Sequence, residues 1–61
     1  MTDLDIWRAA RLLLDQHGPL AVERACDRIH DLCAVGDMEG CAVWSRIAAA
    51  VNEMGRTGAT H

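Results

Sequence analysis

His17-Gly18-Pro19 and Gly36-Asp37 are the two places where the chain stops reading as helix, and they decide the fold. Glycine adopts left-handed backbone without steric cost, and proline cannot continue a helix but can open one. On either side of these marks, apolar residues recur at i, i+3 or i+4, and i+7, the period of one buried helical stripe. The pattern predicts an all-α, compact three-helix domain over residues 1–55 with short glycine-marked turns. Its helices fall at about 3–16, 19–35 and 37–54, and a polar tail at 56–61 is expected to be mobile.

Each helix carries its own signals. Thr2 caps the first, and Asp5 three residues on completes a capping box, with Asp3 and Asp5 favoured by the helix dipole. Ile6, Trp7, Ala10, Leu13 and Leu14 form its buried stripe, while Leu4 and Leu12 lie off it. Asp5 with Arg8, and Arg11 with Asp15, stand at ion-pair spacing. In the second helix Val22, Ala25, Cys26, Ile29, Leu32 and Cys33 make the apolar face, opposite Glu23, Arg24, Asp27, Arg28 and Asp31. Asp37 caps the third. Cys41, Trp44, Ile47, Ala48, Val51 and Met54 line one side of it, Ala42, Ala49 and Ala50 widen the apolar area, and Gly55 reads as the stop.

A chain of 61 residues forms one domain. At this size a fold buries only about 60% of the surface its unfolded chain exposes, so a staple or a partner is usually needed. Hydrophobic residues make up 51% of the chain, too many for a disordered tail, and with no Phe or Tyr the core must be aliphatic, alanine, sulfur and two tryptophans. Six Arg and no Lys face nine acidic residues for a net charge of −3, which argues against a phosphate-backbone partner. No apolar run reaches the roughly 20 residues that cross a bilayer, so no membrane partner is expected. The start, Met1 to Asp5, is acidic where a secretory signal is basic, so the expected location is the cytoplasm. In a reducing compartment three cysteines read as small core hydrophobes.

Four residues invite a metal: Cys26, His30 and Cys33 at i, i+4, i+7, with Cys41 across the second turn. Geometry opposes it, because Cys26 and Cys33 stand two helical turns apart, about 10.5 Å along the axis, against zinc–sulfur bonds of ~2.3 Å. No metal or cofactor is expected, and a metal- or redox-sensing module is the third functional option. The spacing of Cys33 and Cys41 also admits a disulfide, which the reducing compartment argues against. No catalytic constellation stands out and the chain is too small to enclose a substrate, so it is not expected to be an enzyme. The second option is a DNA-associated regulator using helices 2 and 3 as a helix-turn-helix. Asp37, Glu39 and Gly40, followed only by Arg46, would place acid where phosphates must sit.

The first option rests on surplus. Leu4, Leu12, Leu20, Val35 and Val43 exceed what three short helices hide from water, and an exposed apolar patch marks an interaction site. The expected function is a small helical interaction or regulatory module that forms a homodimer or binds a protein partner, with Trp7, Leu12 and Trp44 as anchors in the core or the interface.

Trp7, His17-Gly18, Gly36-Asp37, and Trp44 with Ile47 together resemble a family of short helical proteins from sphingomonad-type alphaproteobacteria, defined as a domain of unknown function. The resemblance spans about Asp5 to Met54 and implies a small cytoplasmic helical protein. It supplies no activity, substrate or catalytic residue, and Pro19 and the three cysteines lie outside the family's pattern.

Overall fold

The computed structural model describes residues 2–58. The chain is all-α, and no strand occurs among the described residues. Helix α1 spans Asp3–His17, a 3-10 turn spans Gly18–Leu20, α2 spans Ala21–Ala34 and α3 spans Met38–Gly58. Residues 3–34 are thus one helical run bent at a corner, and α3 is a second run. No helix among the described residues is long and apolar enough to cross a membrane.

Local chemistry explains each boundary. The Thr2 hydroxyl accepts from the Asp5 N–H and the Asp5 carboxylate accepts from the Thr2 N–H, each at 3.3 Å, so the capping box forms as expected. Gly18, at φ +55°, ends α1 and donates its N–H to the Leu14 carbonyl. The second helix does not begin as α-helix at Pro19. Gly18–Leu20 winds more tightly, with the Ala21 N–H bonded to the Gly18 carbonyl, and α2 starts at Ala21. Proline has no N–H to give, so the corner is held by this i→i+3 bond.

At the other end of α2, Gly36 sits at φ +82°. Its N–H reaches the Cys33 carbonyl at 3.1 Å and the Asp37 N–H reaches that of Leu32 at 2.9 Å, the paired bonds of a Schellman stop. The Asp37 carboxylate then accepts from the Gly40 N–H at 3.0 Å and caps α3.

Gly55 does not stop α3, which continues to Gly58; Gly18 and Gly36 are the positive-φ glycines among the described residues. The first part of the expected tail, 56–58, is therefore helical backbone, and 59–61 lie outside the described residues. A glycine inside a helix costs up to about 1 kcal/mol relative to alanine without breaking it. A Cβ added at Gly55 meets nothing within 4 Å. Gly55→Ala is accordingly expected to stabilise the fold by about 0.5–1 kcal/mol, read as a higher urea midpoint. A lower midpoint would restore Gly55 as a left-handed stop.

Helices α2 and α3 run antiparallel: Cys33 is bonded to Cys41, the Arg28 guanidinium lies 5.9 Å over the Trp44 ring, and Val22 shares a hollow with Val51 and Asn52. Helix α3 packs against both α1 and α2, which touch each other least. The core joins Ile6 and Ala10 of α1, Ala21 of α2, and Ile47, Ala50 and Val51 of α3. Leu13, Leu14, Trp44 and Met54 pack around it, and so does Val43, which is not part of the exposed surplus. Among the described residues, four of the seven that are buried are alanines (Ala10, Ala21, Ala25 and Ala50). Alanine lets helices approach closely but removes little apolar area from water.

The α2 face differs from the one expected. Ala21, Ala25, Ile29 and Leu32 turn inward, at i, i+4, i+8 and i+11, which carries Val22, Cys26 and Cys33 to the exposed flank. The cysteines are not core hydrophobes: Cys26 is an exposed free thiol, Cys33 is exposed, and Cys41 is half-buried.

Candidate functional site

The four sequence candidates for a metal do not gather. Among the described residues no group of three or more His, Cys, Asp or Glu is placed to hold an ion. Cys33 and Cys41 spend their sulfurs on each other, contrary to the expectation of reduced thiols, and Cys26 and His30 face water. The turn accounts for the pairing, since the Gly36 reversal sets the two Cα atoms 5.5 Å apart, inside the 4.4–6.8 Å range a disulfide spans.

The start of α3 keeps its acidic character. Glu39 lies in the first turn, and the Asp37 carboxylate is engaged on the Gly40 N–H. Of the expected charge pairs, Arg11 and Asp15 meet at 3.5 Å on the exposed face of α1, an arrangement worth little. Arg28 lies over Trp44, a contact that charge spacing along α2 does not suggest.

The three residues expected as anchors separate by position. Trp7 is 43% exposed and Leu12 is 56% exposed, while Trp44 is half-buried against the core. Ile6 and Ala10 set the buried line of α1, so Trp7, one residue from Ile6, is turned to the flank instead of lying in the buried stripe expected of it, and stands over the junction with α3. There an open groove of about 300 Å³ is lined by Asp3, Ile6 and Trp7 from α1 and by Arg46, Ala49, Ala50 and Glu53 from α3. The small side chains of Ala49 and Ala50 leave the floor low; Trp7 makes an apolar wall, and Asp3, Arg46 and Glu53 bring both signs of charge to the rim. The Ala48-Ala49-Ala50 run signals such a floor in the sequence, but which partner helix crosses it does not follow from spacing.

No charged or polar side chain is buried among the described residues. No protein-family model, curated protein or solved structure matches the chain.

Proposed function

We propose that this chain is a three-helix interaction module that associates with a second copy of itself through the groove beside Trp7. The observation that carries the proposal is the Trp7 ring, 43% exposed next to a hollow floored by two alanines. A large exposed ring beside a shallow apolar seat suits a two-fold interface, in which the same patch supplies both projection and receptor. The rim suits the same arrangement: Arg46 on α3 and Asp3 on α1 border one groove, so a two-fold axis running along the groove sets α1 of one copy over α3 of the other and each charge toward its opposite. The need is energetic as well, since a core with four alanines among the seven buried residues of the described chain recovers little by itself. Leu4, Leu12, Leu20, Val35 and Met38, exposed elsewhere, add apolar area in the same sense. The cytoplasm, and the short alphaproteobacterial helical family that the tryptophan and glycine pattern resembles, are the setting we propose for it.

Sedimentation across a concentration series tests this. The wild-type chain should move from one copy toward two as concentration rises. Trp7→Glu should remain a single copy while keeping its helical circular dichroism, because Trp7 lies outside the buried core. An interface anchor of this kind is worth about 2 kcal/mol or more, so the dissociation constant should rise roughly 30-fold or beyond. A wild-type chain that stays single at every concentration removes the proposal.

A further inference from the structure

We infer that Cys33 and Cys41 form a reversible thiol–disulfide exchange site, entered at Cys33, that locks or releases the turn between α2 and α3. The inference is independent of self-association and rests on different atoms.

The turn brings the two residues together without help from the bond. Gly36 in left-handed backbone, its N–H on the Cys33 carbonyl, the Asp37 N–H on the Leu32 carbonyl, and the Asp37 carboxylate on the Gly40 N–H all define the reversal. Reduced thiols at these positions stay within reach of each other, so closing the bond is an intramolecular step with a high effective concentration. The pair also lies outside the buried cluster of Ile6, Ala10, Ala21, Ile47, Ala50 and Val51. Opening it leaves that packing in place, which lets the bond respond to its surroundings while the chain stays folded.

Access is unequal. Cys33 is exposed and Cys41 is half-buried. An incoming sulfur therefore meets Cys33 first, and exchange rates depend on which sulfur can be reached. The oxidant is a small disulfide of the glutathione class. The Cys33 thiolate attacks one of its sulfurs, forms a mixed disulfide and releases one small thiol. The Cys41 thiolate then attacks the Cys33 sulfur, forms the Cys33–Cys41 bond and releases the second small thiol. The protein loses two electrons and two protons, and the small disulfide gains both as it becomes two thiols. Opening is the reverse, with a small thiolate attacking Cys33. Cys26 takes no part in the closure, since it stands two turns from Cys33 along α2, about 10.5 Å.

The test uses the full chain with Cys26→Ser, equilibrated in reduced and oxidised glutathione at increasing ratios, quenched with a maleimide and weighed. The expected result is one reversible transition between a species with two maleimides and a species with none. With Cys41→Ser added, a glutathione adduct should accumulate on Cys33. With Cys33→Ser added instead, the adduct on Cys41 should form about tenfold more slowly. Two free thiols throughout the range, oxidation that yields only linked pairs of chains, or an adduct that forms faster on Cys41 would each overturn the inference.

Discussion

Ile47→Ala is expected to remove most of the stability of this fold. Among the described residues Ile47 and Val51 are the largest fully buried side chains, and Ile47 packs among Ile6, Ala10, Ala21 and Ala50 where α1 and α2 both meet α3. Truncating a buried isoleucine to alanine costs about 2–5 kcal/mol, with the spread set by how far the site collapses around the hole. Here collapse is hindered. Three of the neighbours are alanines, which have no side-chain torsion to swing into the space, so either the cavity stays or the helices shift. A chain of this length has a total stability of about 3–9 kcal/mol at the usual 0.05–0.15 kcal/mol per residue. The loss is thus of the same order as the whole. Chemical denaturation should show a midpoint moved far toward water, or no folded baseline at all. Leu12→Ala is the matched control: its side chain is 56% exposed, and the change should stay within about 0.5 kcal/mol. An Ile47→Ala chain that unfolds at the wild-type midpoint would show that the joint between α1, α2 and α3 is not what holds the molecule.

Much of this architecture is legible in the sequence, because the signals are local. Thr2 and Asp5 cap whatever follows them, and Gly18 and Gly36 mark backbone that other residues avoid. What failed depends on context. Gly55 has the same identity as Gly36, yet it continues a helix, since a lone glycine carries no instruction about its φ until its neighbours choose one. The Schellman bonds that end α2 need the following residues to turn back, and among the described residues after Gly55 the backbone stays helical to Gly58. On α2 the difference is one of rotation. Ala25, Ile29 and Leu32 of the expected stripe do face inward, but Ala21 on their flank joins them and Val22, Cys26 and Cys33 turn out, because the closer approach that alanine permits favours that side for α3.

The candidate sites divide in the same way. Leu12 stands clear of the core as its place on the wheel implies, whereas Trp7, which the helical spacing assigns to the buried stripe, is exposed because Ile6 and Ala10 take that line. The groove itself needs the crossing of α1 over Ala49 and Ala50, a long-range fact that periodicity does not encode. The sulfur pair was visible as spacing across a turn. The reducing compartment expected from the acidic Met1–Asp5 start bears on whether such a bond persists and not on whether two residues lie in reach. Trp44 and Arg28 meet only because α2 and α3 adopt a particular antiparallel register, and no rule of spacing within α2 could have paired them.

The oxidised chain should melt well above the reduced one. Cys33 and Cys41 are eight residues apart in sequence. Chain-entropy arguments assign a loop of that length about 2–3 kcal/mol of stabilisation, gained by restricting the unfolded state. For a domain of this size each kcal/mol moves the melting temperature by roughly 4–8 °C, which gives a gap of roughly 10–20 °C. Residual helix in the unfolded α2–α3 segment would narrow the gap, because a turn already restricted has less freedom to lose. The measurement is a thermal melt of the Cys26→Ser chain with and without a phosphine reductant, and Cys41→Ser should match the reduced curve under both conditions. Linkage makes the argument reciprocal. Whatever the bond adds to folding, folding adds to the bond, so 2–3 kcal/mol corresponds to a disulfide roughly 40–65 mV harder to reduce in the folded chain than in urea. Glutathione titrations with and without denaturant read that difference directly, and equal potentials together with superimposed melts would mean that the bond restrains nothing the unfolded chain is free to explore.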